Sequence, residues 1–364
     1  MKKVLVFGIT ENPGGIESVI MNYYRSFDKN KIQLDFLCNT EVVAYEDEIK
    51  KLGGKIFRIT ARSKNYFLYK KQLDNFFKKN AKKYSSIWVN VCSLANIDYL
   101  KYAKKYGIKK RIIHCHNSQN MDSVFRGLLH KYNKLFIKKY ATDFWSCANS
   151  ASNWFYNNKI IKSSKYLLVN NAIDYKKYMY NKKARDIIRK KLNLNDKIVF
   201  GNVGRLHFQK NQEFAIKVFY EFSKNHPNSI FYIIGDGEDR KKLLNLINDL
   251  NISDKVFLLG LRDDVNELLQ AMDIFLFPSF FEGLSLSLIE AQASKLLIFT
   301  STGVSKETKM SDCIHFLDIE KGPVFWSNII QKNIKNINRS SITDEIKARG
   351  FDILEQSNIL IERL

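Results

Sequence analysis

Four charged side chains in the second half of the chain have the types and spacing to bind a ligand that carries both phosphates and hydroxyls. Arg205 and Lys210 stand five residues apart, between a predicted buried strand and the helix after it. A fixed arginine and a lysine beside a helix N-terminus are typical of a site for a doubly negative group such as a diphosphate. Solvated surface charge is the alternative in a chain this rich in lysine.

Two carboxylates follow a later strand of the second half of the chain that is also predicted to be buried. Glu282 lies in a turn after Ile274–Phe277, and Glu290 lies eight residues later, two turns into the helix predicted to start beyond the turn. The neighbours of Glu290 are apolar, so its charge is expected to have a partner. The carboxylates and the exposed amides at the helix start could together bind hydroxyls and phosphate.

Two loops in the first half of the chain also follow predicted strands and carry residues that could contact a ligand. Gly14 and Gly15 separate the first strand from the first helix and would let the backbone approach a ligand, although a purely structural turn is as good an explanation. His114 and His116 close a later strand, and their spacing puts both rings on one face. A metal pair is conceivable there, but hydrogen bonding to a sugar hydroxyl or a phosphate is favoured.

The elements that must position these residues alternate between strand and helix. A first series of short apolar strands runs from Val4–Ile9 to Tyr166–Asn170, and a second from Ile198–Val203 to Leu296–Thr300. This alternation predicts parallel sheets covered on both faces. Each series begins with a strand, a glycine turn and a helix, and 364 residues exceed one core. We therefore expect two lobes rather than one long sheet, with a boundary near Asn171–Tyr178.

Composition limits the function classes. Hydrophobic residues make up 45% and charged residues 26%, as in ordinary globular proteins. Lys and Arg number 59 against 37 acidic residues, a net charge of +22 that attracts nucleic acid, anionic lipid or phosphorylated substrates. Five scattered cysteines indicate buried thiols. The chain shows neither a signal peptide nor an apolar run of the roughly 18 residues that span a bilayer, so we expect a cytoplasmic protein.

Two basic stretches, Arg62–Lys83 and Val124–Tyr140, carry aromatic residues among their lysines. Basic amphipathic helices of this kind suit a membrane surface. The alternative is that both are ordinary helices whose apolar faces pack on the sheet. We expect the first stretch to contact an anionic membrane.

The order of the motifs resembles that of the retaining glycosyltransferases of family 4. The Glu-x7-Glu pair, the upstream Arg and Lys, Gly235-Asp236-Gly237 and Gly260–Val265 all occur in sequence. The similarity is greatest to the branch that acts in bacterial capsular and exopolysaccharide synthesis, where Glu-Gly-Leu-Ser-Leu and His-x-His-Asn recur. The resemblance implies an α/β protein of the GT-B fold, with two Rossmann-like lobes whose parallel sheets face each other across a cleft.

Residue roles follow from the resemblance. Glu282 would bind hydroxyls of the donor sugar and Glu290 the ribose, while Arg205 and Lys210 would hold the diphosphate and neutralise charge as the glycosidic phosphate leaves. His116 would sit beside the sugar and complete the catalytic set. Further donor contacts are implied for Gly14 and Gly15 at the phosphates, for Leu261 and Arg262 at the base, and for Gly204, Gly283, Leu284, Ser285 and Leu286.

The implied reaction moves a hexose or N-acetylhexosamine from a nucleotide sugar, with UDP the expected nucleotide, to a lipid-linked or oligosaccharide acceptor with retention. No cofactor and no metal are implied. Residues 1–172 would bind the acceptor and residues 173–345 the donor, with a C-terminal helix over 346–364 packing back on the first lobe. The protein would bind peripherally to the inner face of the plasma membrane, and no nucleic acid is expected. The alternatives are a GT-B sugar-nucleotide epimerase and a polyanion-binding protein without catalysis.

One segment departs from the family pattern. Where such sequences usually carry Gly and Pro after the second glutamate, this chain has Lys295 and Leu297. The segment ends a helix and begins a strand, so the departure affects loop geometry more than chemistry.

Overall fold

The computed structural model describes residues 1–118, 123–336, 339 and 343–364. The chain divides into two compact units. The first comprises Met1–Ala172 together with Ile353–Leu364, and the second comprises Ile173–Asp352. Each unit contains one all-parallel sheet with helices between the strands, which confirms the predicted α/β class with two Rossmann-like lobes.

The first unit has a seven-stranded sheet in the order β3-β2-β1-β4-β5-β6-β7. Its elements are β1 (Lys2–Phe7), α1 (Gly15–Ser26), β2 (Ile32–Cys38), α2 (Glu46–Lys51), β3 (Ile56–Arg58), α3 (Tyr66–Asn80), β4 (Ser86–Val91), α4 (Asp98–Lys105), β5 (Lys110–Cys115), α5 (Val124–Tyr140), β6 (Asp143–Ser146), α6 (Asn149–Phe155), α7 (Asn158–Ile161) and β7 (Tyr166–Leu168).

The second unit has a six-stranded sheet in the order β10-β9-β8-β11-β12-β13. Its elements are α8 (Lys182–Lys191), β8 (Ile198–Val203), α9 (Gln212–Asn225), β9 (Ser229–Ile234), α10 (Arg240–Asp249), β10 (Val256–Leu258), α11 (Val265–Ala271), β11 (Ile274–Phe277), α12 (Leu286–Ala293), β12 (Leu297–Ser301), β13 (Ile314–Leu317), α13 (Gly322–Asn333) and α14 (Thr343–Ala348), and α15 (Ile353–Arg363) returns to the first unit.

The strands of the second sheet are apolar along their length because both faces are covered. Successive residues point to opposite faces, so Val199 and Phe275 enter one core while Phe200 and Ile274 enter the other. All four are fully buried. This explains why the sequence shows near-continuous apolar runs rather than alternation at these strands.

The strand order reverses direction once in each sheet, between β1 and β4 in the first unit and between β8 and β11 in the second. At such a point the loops after neighbouring strands turn to opposite faces and leave a crevice at the carboxyl edge, where open α/β sheets bind ligands. Side chains also link β8 to β11 at both ends. Asp273 accepts from the Val199 amide at 2.9 Å, and Asn202 Nδ2 donates to the Leu276 carbonyl at 2.7 Å.

The last helix, α15, packs against α1 in the first unit. Ser86 Oγ donates to the Leu364 carbonyl at 2.9 Å, which ties the chain end to β4. The expected segment 346–364 begins too early, because residues up to Asp352 belong to the second unit. Ile173 pairs with Asp352, and the Ile173 amide donates to the Phe351 carbonyl at 3.0 Å, so the return starts at Ile353.

Lys295 explains why a glycine is usual at its position. It follows the Ser294 cap of α12 with φ of 53°, in the left-handed region that glycine adopts without strain. The Lys295 amide donates to the Gln292 carbonyl at 2.8 Å, so the helix still ends in an ordinary turn. The departure from the family pattern therefore strains one residue and leaves the loop in place.

Two further expectations need correction. Strand β13 pairs with β12 but was not predicted, because His315 interrupts its short apolar run. Cys92 is exposed rather than buried, since it lies just beyond the end of β4. Within the described ranges, no helix is both long and apolar enough to span a bilayer.

Candidate functional site

An ion pair lies at the carboxyl edge of the second sheet, where β8 and β11 end. Lys210 Nζ is 2.6 Å from Glu282 Oε1, and both side chains are mostly buried. Gln209 Nε2 donates to the same oxygen at 3.0 Å. The ammonium also lies 4.8 Å from the centre of the Phe277 ring, a cation–π distance. The structure thus brings together one predicted cation and one predicted carboxylate from two different loops.

Backbone hydrogen bonds hold these two loops against each other. The Phe280 amide donates to the Gln209 carbonyl at 2.8 Å, and Gln209 Nε2 also donates to the Phe281 carbonyl at 3.0 Å. Gln209 therefore fixes the second loop through its backbone and its side chain at once.

A third loop, after β12, fixes the backbone of Glu282. Glu282 pairs with Val304 as in a parallel strand, and the Ser305 amide donates to the Glu282 carbonyl at 3.0 Å. Gly303 makes this approach possible, because a Cβ there would lie 1.9 Å from the Phe280 carbonyl oxygen. The carboxylate of Glu282 is thus presented from a short, paired segment rather than from a loose turn.

Arg205 lies in the same loop as Lys210 but does not contact the ion pair. Its side chain is 66% exposed, and its guanidinium is 4.0 Å from the carboxylate of Glu238, which is 61% exposed. Because exposed ion pairs are weak, an incoming anion could displace the Glu238 carboxylate from Arg205. The backbone beneath Arg205 is tightly packed: Gly235 has φ of 133°, and a Cβ there would lie 2.0 Å from the Gly204 carbonyl oxygen.

Glu290 lies in the second turn of α12, because the helix begins at Leu286 and not earlier as expected. Leu288 and Ile289 beside it are fully buried. Desolvation raises the pKa of Glu290 to about 7, and a hydrogen bond with Tyr178 opposes this rise. A carboxyl group of this kind is partly protonated at neutral pH and would gain from a ligand that donates to it.

The start of α12 also lies at this edge. Among the described residues, the N-cap Ser285 makes no side-chain hydrogen bond to the helix amides, and its hydroxyl lies 3.0 Å from that of Ser287. The positive end of the helix dipole is therefore available to an anion. Gly283 and Leu284 lead into this helix start from Glu282.

Leu261 and Arg262 follow β10, two strands away from β8. The Gly235 amide donates to the Gly260 carbonyl at 2.9 Å, which connects this loop to the packed glycines below Arg205. Leu261 is 61% exposed. The guanidinium of Arg262 is paired with Asp264, at 2.8 Å between Nε and Oδ1.

In the first unit, Gly14 is the N-cap of α1 and Gly15 is the first helical residue. Glu17 in the first turn accepts from the Thr10 amide at 3.2 Å and from the Thr10 hydroxyl at 2.6 Å. This carboxylate fixes the loop after β1, and a Cβ on Gly14 would lie 2.7 Å from it.

His116 lies just beyond β5 with its ring 4.1 Å from that of His114. Asn90 Nδ2 donates to the Phe7 carbonyl at 3.3 Å, which orients the amide so that Asn90 Oδ1 faces His116 Nε2 at 2.9 Å. The imidazole therefore carries its proton on Nε2 and leaves Nδ1 as an acceptor. Desolvation lowers the pKa of His116 to about 3, so the ring is uncharged at neutral pH. Within the described residues, no group of three or more His, Cys, Asp or Glu is placed to hold a metal ion.

Three site residues were missed in the sequence. Gln209 stands between the predicted Arg205 and Lys210 but was given no role. Asn90 and Asn202 each interrupt an apolar strand near its carboxyl end, and this interruption is the signal that could have identified them. A polar amide at such a position is buried and requires partners.

Comparison with known proteins gives matches along the chain. Residues 184–308, within the second unit, match the family model described as glycosyl transferases group 1. Over 99% of its length the chain is 28% identical to the glycosyltransferase EpsF of Bacillus subtilis, and it spans 95% of that protein. A shorter match, at 31% identity over 46% of the chain and 45% of the relative, is to an Escherichia coli UDP-Gal:α-D-GlcNAc-diphosphoundecaprenol α-1,3-galactosyltransferase.

Among solved structures, the chain is similar to HepE of Anabaena in complex with UDP and glucose. The TM-score is 0.81 at 15% identity, covering 100% of this chain and 99% of HepE. At this identity the likeness concerns the fold. The chain thus has the GT-B fold, and the family model matched in its second unit and the relative matched over nearly its whole length support glycosyltransferase activity.

Proposed function

We propose that the chain is a retaining glycosyltransferase of family 4 that acts in capsule or exopolysaccharide synthesis. It would transfer a hexose or N-acetylhexosamine from a UDP-sugar to a lipid-linked or oligosaccharide acceptor. The observation that carries the proposal is the Lys210–Glu282 pair at the carboxyl edge of the second sheet, beside the start of α12. This arrangement offers a cation to a phosphate and a carboxylate to a sugar within one small volume.

Lys210 can contact Glu282 and the donor diphosphate at the same time. Its ammonium has three donors, of which one is used by Glu282 Oε1 at 2.6 Å. A second can meet an oxygen of the leaving diphosphate, while Arg205 reaches the same group from solvent and the amides of α12 approach from the helix. Fixed charges that are in place before the bond breaks lower the barrier, because they need no reorganisation as negative charge develops.

Glu282 would hold the donor sugar. Gln209 and Lys210 both contact Oε1, whereas Oε2 has no hydrogen-bond partner among the described residues. That oxygen can accept from a sugar hydroxyl. The third loop fixes the backbone of Glu282, so the hydroxyl is positioned rather than merely attracted.

His116 would contact the sugar or acceptor as a neutral acceptor of hydrogen bonds through Nδ1. Burial lowers its pKa to about 3, which favours this uncharged form at neutral pH. Retention is carried over from the family resemblance, in which the leaving phosphate takes the acceptor proton during same-face attack. This chemistry requires no protein nucleophile.

The proposed substrates are supported by what similar proteins bind. HepE is described in complex with UDP and glucose. The Escherichia coli relative is named for a UDP-galactose donor and a diphosphoundecaprenol-linked acceptor. A UDP-sugar and a lipid-linked acceptor are therefore the first substrates to test.

Loss of either positively charged side chain of the site should slow turnover. We expect Lys210→Ala and Arg205→Ala each to raise the barrier by roughly 2–4 kcal/mol, as for removal of a fixed donor that stabilises developing charge. The measurement is kcat for transfer from a UDP-sugar. Lys217→Ala is the matched control, since Lys217 pairs with Glu213 at 2.7 Å on the surface of α9. Near-normal kcat in both site variants would show that the diphosphate does not bind here.

The proposed reaction needs no divalent cation, because Arg205, Lys210 and the helix amides supply the positive charge. Transfer measured after exhaustive chelation should therefore equal that of untreated enzyme. Loss of activity that manganese or magnesium restores would contradict this mechanism.

Donor affinity should depend on the ionisation of Glu290. Its pKa of about 7 is raised, so the carboxylate form that accepts from a ribose hydroxyl is lost as pH falls through 7. We expect affinity for an intact UDP-sugar to weaken by about tenfold between pH 8 and pH 6, as one pKa unit implies. Titration calorimetry of wild type and Glu290→Gln measures this, and the variant should bind weakly with little pH dependence.

The raised pKa of Glu290 can also be tested without nucleotide, through the stability of the protein. A pKa raised above its unfolded value contributes stability at low pH that is lost as pH rises from 5 to 8. The thermal midpoint of wild type should therefore fall relative to that of Glu290→Gln over this interval. Parallel curves for the two proteins would show that Glu290 is not desolvated.

A further inference from the structure

Helix α5 of the first unit turns apolar side chains toward solvent. Six large hydrophobic residues on the helix are between 45% and 80% exposed. Those at 128, 132 and 135 lie on the side opposite the buried residues of the helix. The six are Val124, Phe125, Leu128, Tyr132, Leu135 and Phe136, called here the outer stripe.

The inner side of α5 buries one apolar residue, Ile137, and two polar ones, His130 and Asn133. His130 Nδ1 accepts from the Leu94 amide at 3.0 Å, and Asn133 Nδ2 donates to the Leu94 carbonyl at 2.7 Å. Lys134 Nζ donates to the Trp154 carbonyl at 2.6 Å. A surface helix normally buries most of its large apolar residues, whereas α5 exposes six of them. The hydrogen bonds of its inner polar residues help to hold it in this orientation.

Helix α3, the centre of the expected membrane segment 62–83, is different. Tyr69, Leu73, Phe76 and Phe77 are buried, so three of the five aromatic residues in that segment pack inward. The segment is therefore mostly an ordinary sheet-covering helix. Its exposed apolar residues, Tyr66, Phe67 and Leu68, lie in the first turn of α3, whereas those of α5 run along the helix.

Positive charge accompanies the outer stripe. Helix α5 contains four lysines and one arginine and no acidic residue. Beyond its last turns lies an open hollow of about 850 Å³. Its lining, called here the lysine hollow, includes six lysines together with Arg111, Asp143, Ala141, Thr142, Phe144 and Ser163; the lysines are Lys104, Lys109, Lys110, Lys138, Lys139 and Lys165.

We propose that α5 docks on an anionic phospholipid bilayer, with the outer stripe at the boundary of headgroups and acyl chains and the lysine hollow against lipid phosphates. Lys139 lines the hollow and follows Leu135 by four residues, on the same face of α5 as the outer stripe, so stripe and hollow can meet one flat surface together. A bilayer offers apolar and anionic groups side by side, whereas nucleic acid would leave the stripe uncovered. The proposal is independent of the reaction that the protein catalyses.

Vesicle binding tests the proposal directly, with the whole chain and without substrate. Wild type should sediment with vesicles that contain phosphatidylglycerol and not with pure phosphatidylcholine vesicles. The double variant Leu128→Ser/Leu135→Ser should lower the partition coefficient by at least about tenfold, because it removes two outer-stripe side chains from the lipid boundary. Both side chains are exposed, so an unchanged thermal midpoint is expected and verifies folding.

A second variant tests the hollow. Lys138→Gln/Lys139→Gln should weaken binding to anionic vesicles and reduce its dependence on salt, because screening acts on the charges removed. The matched controls lie on α8: Ile187→Ser removes a side chain that is 69% exposed, and Lys182→Gln/Lys183→Gln removes two charges. Neither control should change binding.

Three results would overturn the proposal. The first is equal partitioning of wild type and the Leu128→Ser/Leu135→Ser variant into anionic vesicles. The second is equal loss in the α8 controls, which would indicate general attraction by net charge. The third is a wild-type dimer in ultracentrifugation that becomes monomeric in the serine variant, since the stripe would then be covered by a second copy.

Discussion

The site depends on one ion pair, formed by Lys210 and Glu282 from two different loops. Removing two charges from water is costly, and attraction at 2.6 Å offsets that cost only where the geometry is fixed. Gln209 contributes most to that geometry, since it contacts the carboxylate and binds the neighbouring backbone twice. The pair therefore requires that three loops, after β8, β11 and β12, be packed together. That packing in turn requires glycine at 303, where another side chain would meet the backbone.

The strand order places these loops together. Because β8 and β11 are neighbours in the sheet although they are distant in sequence, the segments that follow them meet at one edge. The first unit repeats the arrangement, with β1 beside β4, and places Asn90 and His116 near the loop that Glu17 fixes. Each unit therefore positions polar groups at its own switch point, and covered apolar strands supply the rigid base.

Much of this could be predicted from the sequence, for identifiable reasons. Strands buried on both faces leave continuous apolar runs, so the two-lobed α/β class followed from pattern alone, and the site motifs fell at strand ends. Contacts between loops could not be predicted, because a sequence pattern does not tell which backbone groups meet. Gln209 was missed for this reason. The orientation of α5 was left open by the sequence, since two of its three buried residues, His130 and Asn133, are polar and are fixed by hydrogen bonds.

The central claim is that the donor diphosphate and sugar bind the second unit between the loop at 204–211 and the segment at 282–290. Hydrogen exchange measured by mass spectrometry, with and without a saturating intact UDP-sugar, tests it most directly. The account predicts that the nucleotide sugar slows exchange in both segments, because their backbone amides and paired side chains become fixed by the ligand. Binding that leaves exchange in both segments unchanged would contradict the account.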